Sequence, residues 1–170
     1  MVVARPSTSE VWKWLAQIAD PEIPVLSITD LGIVRQVEWS HDQSELIIAI
    51  TPTYSGCPAM EAIANDIRSS MKEHGIERLR LETKLSPAWT TDWITDAAKE
   101  RLRVYGIAPP SARLIHLSDI AQPASDSNSI SCPLCGSSSI QLVSRFGSTP
   151  CKALYKCLSC LEPFDAFKQH

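Results

Sequence analysis

The hydrophobic pattern first predicts an amphipathic helix near the start of the chain. Ser7, followed three residues later by Glu10, is the sequence signature of a helix capping box. Beyond it, one helical face carries Val11, Trp14, Leu15 and Ile18. Pro21 ends this helix, because proline disfavours helical backbone in the residue that precedes it.

Alternating and β-branched segments predict strands. Residues 33–39 and 45–51 are rich in Ile and Val, and the polar stretch 41–44 between them predicts a hairpin loop. A third strand is expected over 78–85, where one side carries Leu79, Leu81, Thr83 and Leu85. A short last strand is expected over 113–117.

Two further helices complete the pattern. One begins at Cys57 and Pro58, since proline suits the first turn of a helix. Its apolar positions are Met60, Ile63, Ala64, Ile67 and Met71. The other runs over about 92–105 and is capped by Thr90 or Thr91. The order α-β-β-α-β-α predicts a small α/β domain, of the mixed α+β kind.

Serine, aspartate and proline dominate residues 118–131, which we interpret as a flexible linker. The predicted organisation is therefore a domain over 1–117, a linker over 118–131 and a small second module over 132–170. Hydrophobic residues make up 44% of the chain and charged residues 21%, which excludes a wholly disordered or fibrous protein.

Charge and targeting signals narrow the class of function. The net charge of −3 argues against a general binder of nucleic acid. No apolar run approaches the roughly 20 residues needed to cross a bilayer. The first residues lack the apolar region of a signal peptide, so we expect a cytoplasmic protein that is not embedded in a membrane.

Five of the six cysteines lie in the last 39 residues. Cys132 and Cys135 form one CxxC pair, Cys157 and Cys160 form another, and 21 residues separate the pairs. Two facing CxxC turns give a closed tetrahedral site, so we expect structural zinc, with an iron–sulfur cluster on the same thiolates as the alternative. Cys151 is either a small buried thiol or an accessory ligand or reactive thiol.

Cys57 stands alone in the first domain. A cysteine at a helix N-terminus is favoured as the thiolate, the form that binds soft metals or attacks an electrophile. A cysteine without chemistry at a helix start is the alternative. No histidine has the spacing of a catalytic partner, which leaves little support for a cysteine hydrolase.

Several loop residues could line a cleft near Cys57: Asp20, Glu22, Thr51, Tyr54 and Trp89. For Asp20 and Glu22, a role in turns and caps is favoured over metal binding, and Asp30 is expected to cap or turn before the first strand. Trp89 fits either a cleft wall or a docking patch.

Three short motifs in the first domain resemble the MIP18 (DUF59) family: Asp-Pro-Glu at 20–22, Leu-Gly-Ile-Val at 31–34, and Gly-Cys-Pro at 56–58. That family is linked to iron–sulfur cluster assembly and transfer. The resemblance covers roughly residues 8–117. It implies a MIP18-like fold and makes Cys57 the cluster-handling thiol.

A second resemblance spans nearly the whole chain. The stretches 86–93, 146–157 and 162–165, together with the four-cysteine ribbon, are similar to the D-subunit family of phenylacetyl-CoA epoxidase (ring-hydroxylating phenylacetate-CoA oxygenase) systems. One departure is Pro150, where alanine is more common in that family.

The resemblances imply an assembly or delivery factor for the iron–sulfur cluster of such a monooxygenase, in particular the cluster of its flavin-containing reductase. The protein would not turn over substrate itself. One cysteine cannot hold a cluster that takes about four ligands, so a second copy in a homodimer, Cys151 or a small thiol such as glutathione would have to help Cys57. The alternatives are a structural or regulatory subunit that docks on the oxygenase, and catalysis by Cys57 itself.

Overall fold

The structure is a computed structural model that describes residues 5–54, 56–110 and 130–169. The chain forms two compact units, Met1–Thr95 and Asp96–His170. Each unit has its own sheet. No helix in the described part of the chain is long and apolar enough to span a membrane.

The first unit is built from two helices and a three-stranded sheet. Its elements are α1 (Thr8–Leu15), β1 (Val34–Trp39), β2 (Leu46–Ile50), α2 (Ala59–Glu73), β3 (Leu79–Thr83) and a short 3₁₀ helix (Thr91–Trp93). The strand order is β1-β2-β3. Strand β1 is antiparallel to β2, and β3 is parallel to β2. The antiparallel pair is the predicted hairpin, and α2 is the crossover that a parallel pair requires.

The central strand explains where the core of this unit lies. All five residues of β2 are buried, as expected for a strand between two others with apolar packing on its faces. Helix α2 buries one stripe at helical spacing, and α1 buries Val11 and Leu15. The stripe of α2 is Ala59, Ile63, Ile67 and Met71.

The second unit contains α3 (Asp96–Tyr105), β4 (Ile107–Ala108), β5 (Ile140–Ser144), β6 (Lys152–Cys157) and β7 (Pro163–Phe167). Its sheet has the order β4-β7-β6-β5, with one parallel pair, β4 and β7. Strand β5 lies at the edge and contains an irregularity in its register between Leu142 and Ser144, at Val143. The core is small, with buried Ala108, Cys132, Ala153, Tyr155, Cys157, Phe164 and Ala166.

Four details differ from the sequence prediction. Helix α1 ends at Leu15, so Ile18 lies outside the helix on whose face it was expected. The helix expected from Asp92 is interrupted, because Ile94 is buried in extended backbone between the 3₁₀ helix and α3. Leu85 lies beyond the end of β3 and is exposed, so its expected place in the strand is wrong. Strands β4 and β7 were not predicted. The strand expected over 113–117, and positions 118–129 of the expected linker, lie outside the described residues.

Candidate functional site

The two CxxC pairs meet at one centre in the second unit. The four Sγ atoms, of Cys132, Cys135, Cys157 and Cys160, all lie within 4.8 Å of one another. Cys132 Sγ is 3.7 Å from Cys160 Sγ, and Cys135 Sγ is 3.5 Å from Cys157 Sγ. A zinc ion with Zn–S bonds of about 2.3 Å has S–S edges of about 3.8 Å, so the arrangement fits a tetrahedral ion.

Backbone groups in the two turns support this geometry. The N–H of Gly136 donates to the carbonyl of Cys132 at 2.9 Å, which closes the first turn. In the second turn the N–H groups of Ser159 and Cys160 both donate to Cys157 Sγ at 3.4 Å. Chiefly the Cys160 bond lowers the pKa of the Cys157 thiol to about 6, whereas burial and the neighbouring thiols raise the pKa of Cys160 to about 12, so without metal the thiolate is favoured at Cys157 and the thiol at Cys160.

The four sulfurs have the arrangement of a closed metal site. Cys132 and Cys157 are buried in the core of the ribbon, whereas Cys135 is exposed and Cys160 half-buried. Four cysteine sulfurs fill all the positions of a tetrahedral ion, which leaves none open for water or substrate. Cys151 is not among the four sulfurs; it is buried, and its Sγ lies 3.1 Å from Thr149 Oγ1.

Cys57 lies at the end of the loop between β2 and α2, and α2 begins at Ala59, two residues later than the predicted helix start. Gly56 before it has a φ of +104°, a left-handed conformation that favours glycine. The N–H of Cys57 donates to the Tyr54 carbonyl at 3.2 Å, and the Cys57 carbonyl accepts from the N–H of Met60 at 3.3 Å. The side chain is half-buried, so the thiol keeps access to solvent.

The surroundings of Cys57 favour the neutral thiol. Burial raises its pKa most, and hydrogen bonds from the backbone N–H of Ala59 and the hydroxyl of Thr53 oppose that effect. The carboxylates of Glu22 and Asp20 raise the pKa further. The expectation that the helix N-terminus makes Cys57 a thiolate is therefore wrong, because burial and two negative charges outweigh it.

The motif residues around Cys57 hold the loops in place. Asp20 Oδ1 accepts the N–H groups of Glu22 and Ile23 at 2.9 and 2.8 Å, which confirms its predicted role as a turn residue. Asp30 likewise accepts from the N–H and the hydroxyl of Ser27, at 2.9 and 2.7 Å.

The remaining predicted cleft residues are buried or half-buried in the described structure. Trp89 is 5% exposed and its Nε1 donates to the Leu31 carbonyl at 2.8 Å, so it anchors a loop and offers no surface for docking. Thr51 is buried and donates its N–H to the Ile33 carbonyl at 2.8 Å, while Tyr54 is half-buried.

Sequence reasoning missed Thr53, whose hydroxyl bonds to the Cys57 thiol. Its signal was its place four residues before Cys57 in a loop of small polar residues. The Asp-Pro-Glu motif at 20–22 and the Gly-Cys-Pro motif at 56–58 thus both contribute to the surroundings of the Cys57 thiol.

Comparison with known proteins matches both units. Residues 8–76 match the family model described as iron–sulfur cluster assembly protein, and residues 118–168 match the PaaD zinc beta ribbon domain. A protein of Escherichia coli strain K12 is 49% identical over 166 residues, covering 98% of this chain and 95% of its own length. Its name describes it as the putative D subunit of 1,2-phenylacetyl-CoA epoxidase.

Two solved structures share the fold. A DUF59 domain from Bacillus anthracis is 23% identical and covers 56% of this chain and 90% of its own, with a TM-score of 0.51. A conserved hypothetical protein of Thermotoga maritima is 22% identical and covers 59% of this chain and 98% of its own, with a TM-score of 0.50. The identity to the E. coli protein runs almost from end to end, and the chain therefore belongs to the D-subunit family of phenylacetyl-CoA epoxidases.

Proposed function

We propose that this protein is an accessory factor that assembles or delivers an iron–sulfur cluster for a multicomponent phenylacetyl-CoA epoxidase, with the iron–sulfur flavin reductase of that system as the recipient. The observation that carries the proposal is the half-buried Cys57, which lies in the iron–sulfur assembly match at residues 8–76. Zinc at the four-cysteine centre holds the ribbon together and takes no part in transfer.

Cys57 holds its cargo loosely in this proposal. A [2Fe–2S] cluster takes about four protein ligands, so one cysteine supplies only part of the set. A second copy of the chain, Cys151 or a small thiol such as glutathione supplies the rest. Incomplete ligation suits a cluster that has to be passed on.

The protonated thiol fits this role. When iron binds, the Sγ–H bond of Cys57 breaks and an Fe–Sγ bond forms, while a thiolate of the donor leaves the iron and takes up a proton. On delivery the same exchange runs in reverse with a thiol of the recipient. Because its surroundings raise the pKa of Cys57, the site favours the return of the proton and hence the release of iron.

The metal and acid-labile sulfide content of protein purified without oxygen tests the proposal. We expect about one zinc per chain in the parent, in Cys57→Ser and in Cys151→Ser, because neither cysteine belongs to the four-cysteine centre. After chemical reconstitution, iron and sulfide should be retained by the parent and lost in Cys57→Ser. Iron retained equally by Cys57→Ser would contradict the role of Cys57.

A second measurement separates delivery from docking. In cells whose only copy is Cys57→Ser, the reductase should accumulate without its cluster although both proteins are present. A fully loaded reductase in those cells would instead favour a docking subunit that carries no cluster.

A further inference from the structure

The two CxxC turns of the ribbon have the same backbone conformation at the residue after the second cysteine, but a different residue type occupies that position in each. In each, the residue after the second cysteine has a positive φ: Gly136 at +75° and Leu161 at +67°. Glycine adopts this conformation without steric cost, whereas the Cβ of leucine crowds the backbone. Folding alone would place glycine at both positions.

Leu161 gains little from packing. It is 64% exposed, so contacts with the described residues do little to offset the strained backbone. The strained backbone and the exposed apolar side chain of Leu161 are both unfavourable for the stability of the fold. Residues in strained backbone conformations concentrate at functional sites.

Two other exposed leucines lie in the same turns. Leu134 is 59% exposed and Leu158 is 50% exposed. The turns are joined directly, since Ser137 Oγ lies 2.7 Å from Ser159 Oγ and the N–H of Leu158 donates to the Ser139 carbonyl at 2.8 Å. We call Leu134, Leu158 and Leu161 the knuckle patch.

The charge around the knuckle patch is negative. Segments 132–139 and 157–162 contain no Lys, Arg or His, and their one acidic side chain is Glu162. Four thiolates with one Zn²⁺ carry a formal charge of −2, and because Glu162 and the exposed Lys156 next to Cys157 cancel, the zinc-loaded turns keep that charge of −2. This charge disfavours nucleic acid, and it also disfavours a second copy of the same turns.

We propose that the knuckle patch docks into an apolar groove, edged by arginine or lysine side chains, on the iron–sulfur flavin reductase of the epoxidase system. Exposed leucines supply the contact, and the anionic centre beneath them selects a basic rim. The identity of the partner rests on the proposed function, whereas the surface itself is argued from the ribbon alone.

The docking proposal is tested by binding measurements. Interferometry gives the affinity of the zinc-loaded full chain for the purified oxygenase and reductase subunits. Leu161→Gly should keep its zinc, melt no lower than the parent and bind at least tenfold more weakly. Leu158→Ser should also weaken binding, whereas Leu142→Ser, a change at a 45% exposed leucine on β5, should leave it unchanged. Binding by the parent should fall as the salt concentration rises.

Two results would overturn the proposal. Unchanged affinity in both Leu161→Gly and Leu158→Ser would reject the knuckle patch alone and leave the iron test at Cys57 unaffected. If the parent bound none of the subunits, both the docking surface and the choice of partner would be wrong. Should Leu161→Gly lose its zinc, Leu158→Ser decides the question.

Discussion

At the scale of single residues, Cys57 differs from thiols that react as nucleophiles. Such thiols have lowered pKa values beside cations, whereas Cys57 is half-buried and faces two carboxylates. This environment favours the protonated thiol. The thiol is therefore poorly suited to attack on an electrophile.

The raised pKa of Cys57 gives a test by alkylation. Its folded-state pKa lies above the ordinary 9.0, so the thiol persists to higher pH than in an unstructured peptide. Iodoacetamide should therefore modify Cys57 with a pH midpoint above that of a model thiol. Glu22→Gln removes a negative charge and should lower the midpoint. The zinc-loaded Cys151→Ser protein isolates the signal, and a midpoint at or below 9.0 would contradict the assigned environment.

Gly32 is a second residue on which the first unit depends. It has a φ of +67°, and a Cβ at this position would lie 2.7 Å from Trp93 Cβ. Trp93 has little room to give, because the Arg35 guanidinium lies 3.4 Å from its ring centroid. We expect Gly32→Ala to lower the free energy of unfolding by about 2–5 kcal/mol, from backbone strain and overpacking together.

Gly75 provides the matched control for Gly32. Its φ is +78°, but a Cβ there would meet nothing within 4 Å. Gly75→Ala should therefore cost only the backbone strain, about 1–2 kcal/mol, when both variants are unfolded in urea. Equal losses in the two variants would show that the contact with Trp93 is unimportant.

From the sequence we could identify Cys57 and the four clustered cysteines, but not the direction in which the pKa of Cys57 is shifted. Cysteine spacing is local information, and it was enough to predict the metal centre. The pKa of Cys57 depends on Thr53, Asp20 and Glu22, which two separate loops bring to it. A prediction from position at a helix start could not include those contacts.

At the scale of elements, strong local patterns were reliable guides. The capping box, the hairpin and the crossover helix α2 all form as predicted, with ends shifted by one or two residues. The predicted helix over 92–105 failed at Ile94, where burial of one side chain overrides helix propensity. Strand β4 has two residues and β7 begins at a proline, so neither carries a pattern that sequence reading detects.

The capping box of α1 offers a test at this scale. Ser7 Oγ accepts the N–H of Glu10 at 3.3 Å, and Glu10 accepts the N–H of Ser7 at 2.8 Å. Ser7→Ala removes the first of these bonds and should cost about 1 kcal/mol in urea denaturation. Thr8→Ala, one residue further on, is the control and should change stability by less than about 0.5 kcal/mol.

At the scale of the whole molecule, the two units are stabilised in different ways. The first unit has a continuous apolar core beneath α1 and α2. The second has a short sheet whose core includes two of the four metal-binding cysteines, Cys132 and Cys157. We therefore expect the ribbon, and not the first unit, to depend on metal for its fold.

Removal of zinc separates these contributions. All five tryptophans lie in the first unit, so their fluorescence reports on that unit alone. A chelator under reducing conditions should lower the strand signal in circular dichroism and leave the tryptophan emission unchanged. Cys132→Ser should behave as the chelated parent does. A simultaneous shift of tryptophan emission would show that the two units fold as one.

The irregular edge strand has a consequence for the behaviour of the protein at high concentration. Strand β5 reads Ile-Gln-Leu-Val-Ser, without the lysine or proline that often guards an exposed sheet edge. The bulge at Val143 interrupts its row of peptide groups, so another strand cannot align along its full length. The irregular backbone of β5 thus protects this edge against fibrous self-assembly. A variant in which β5 is regular should aggregate more readily at high concentration.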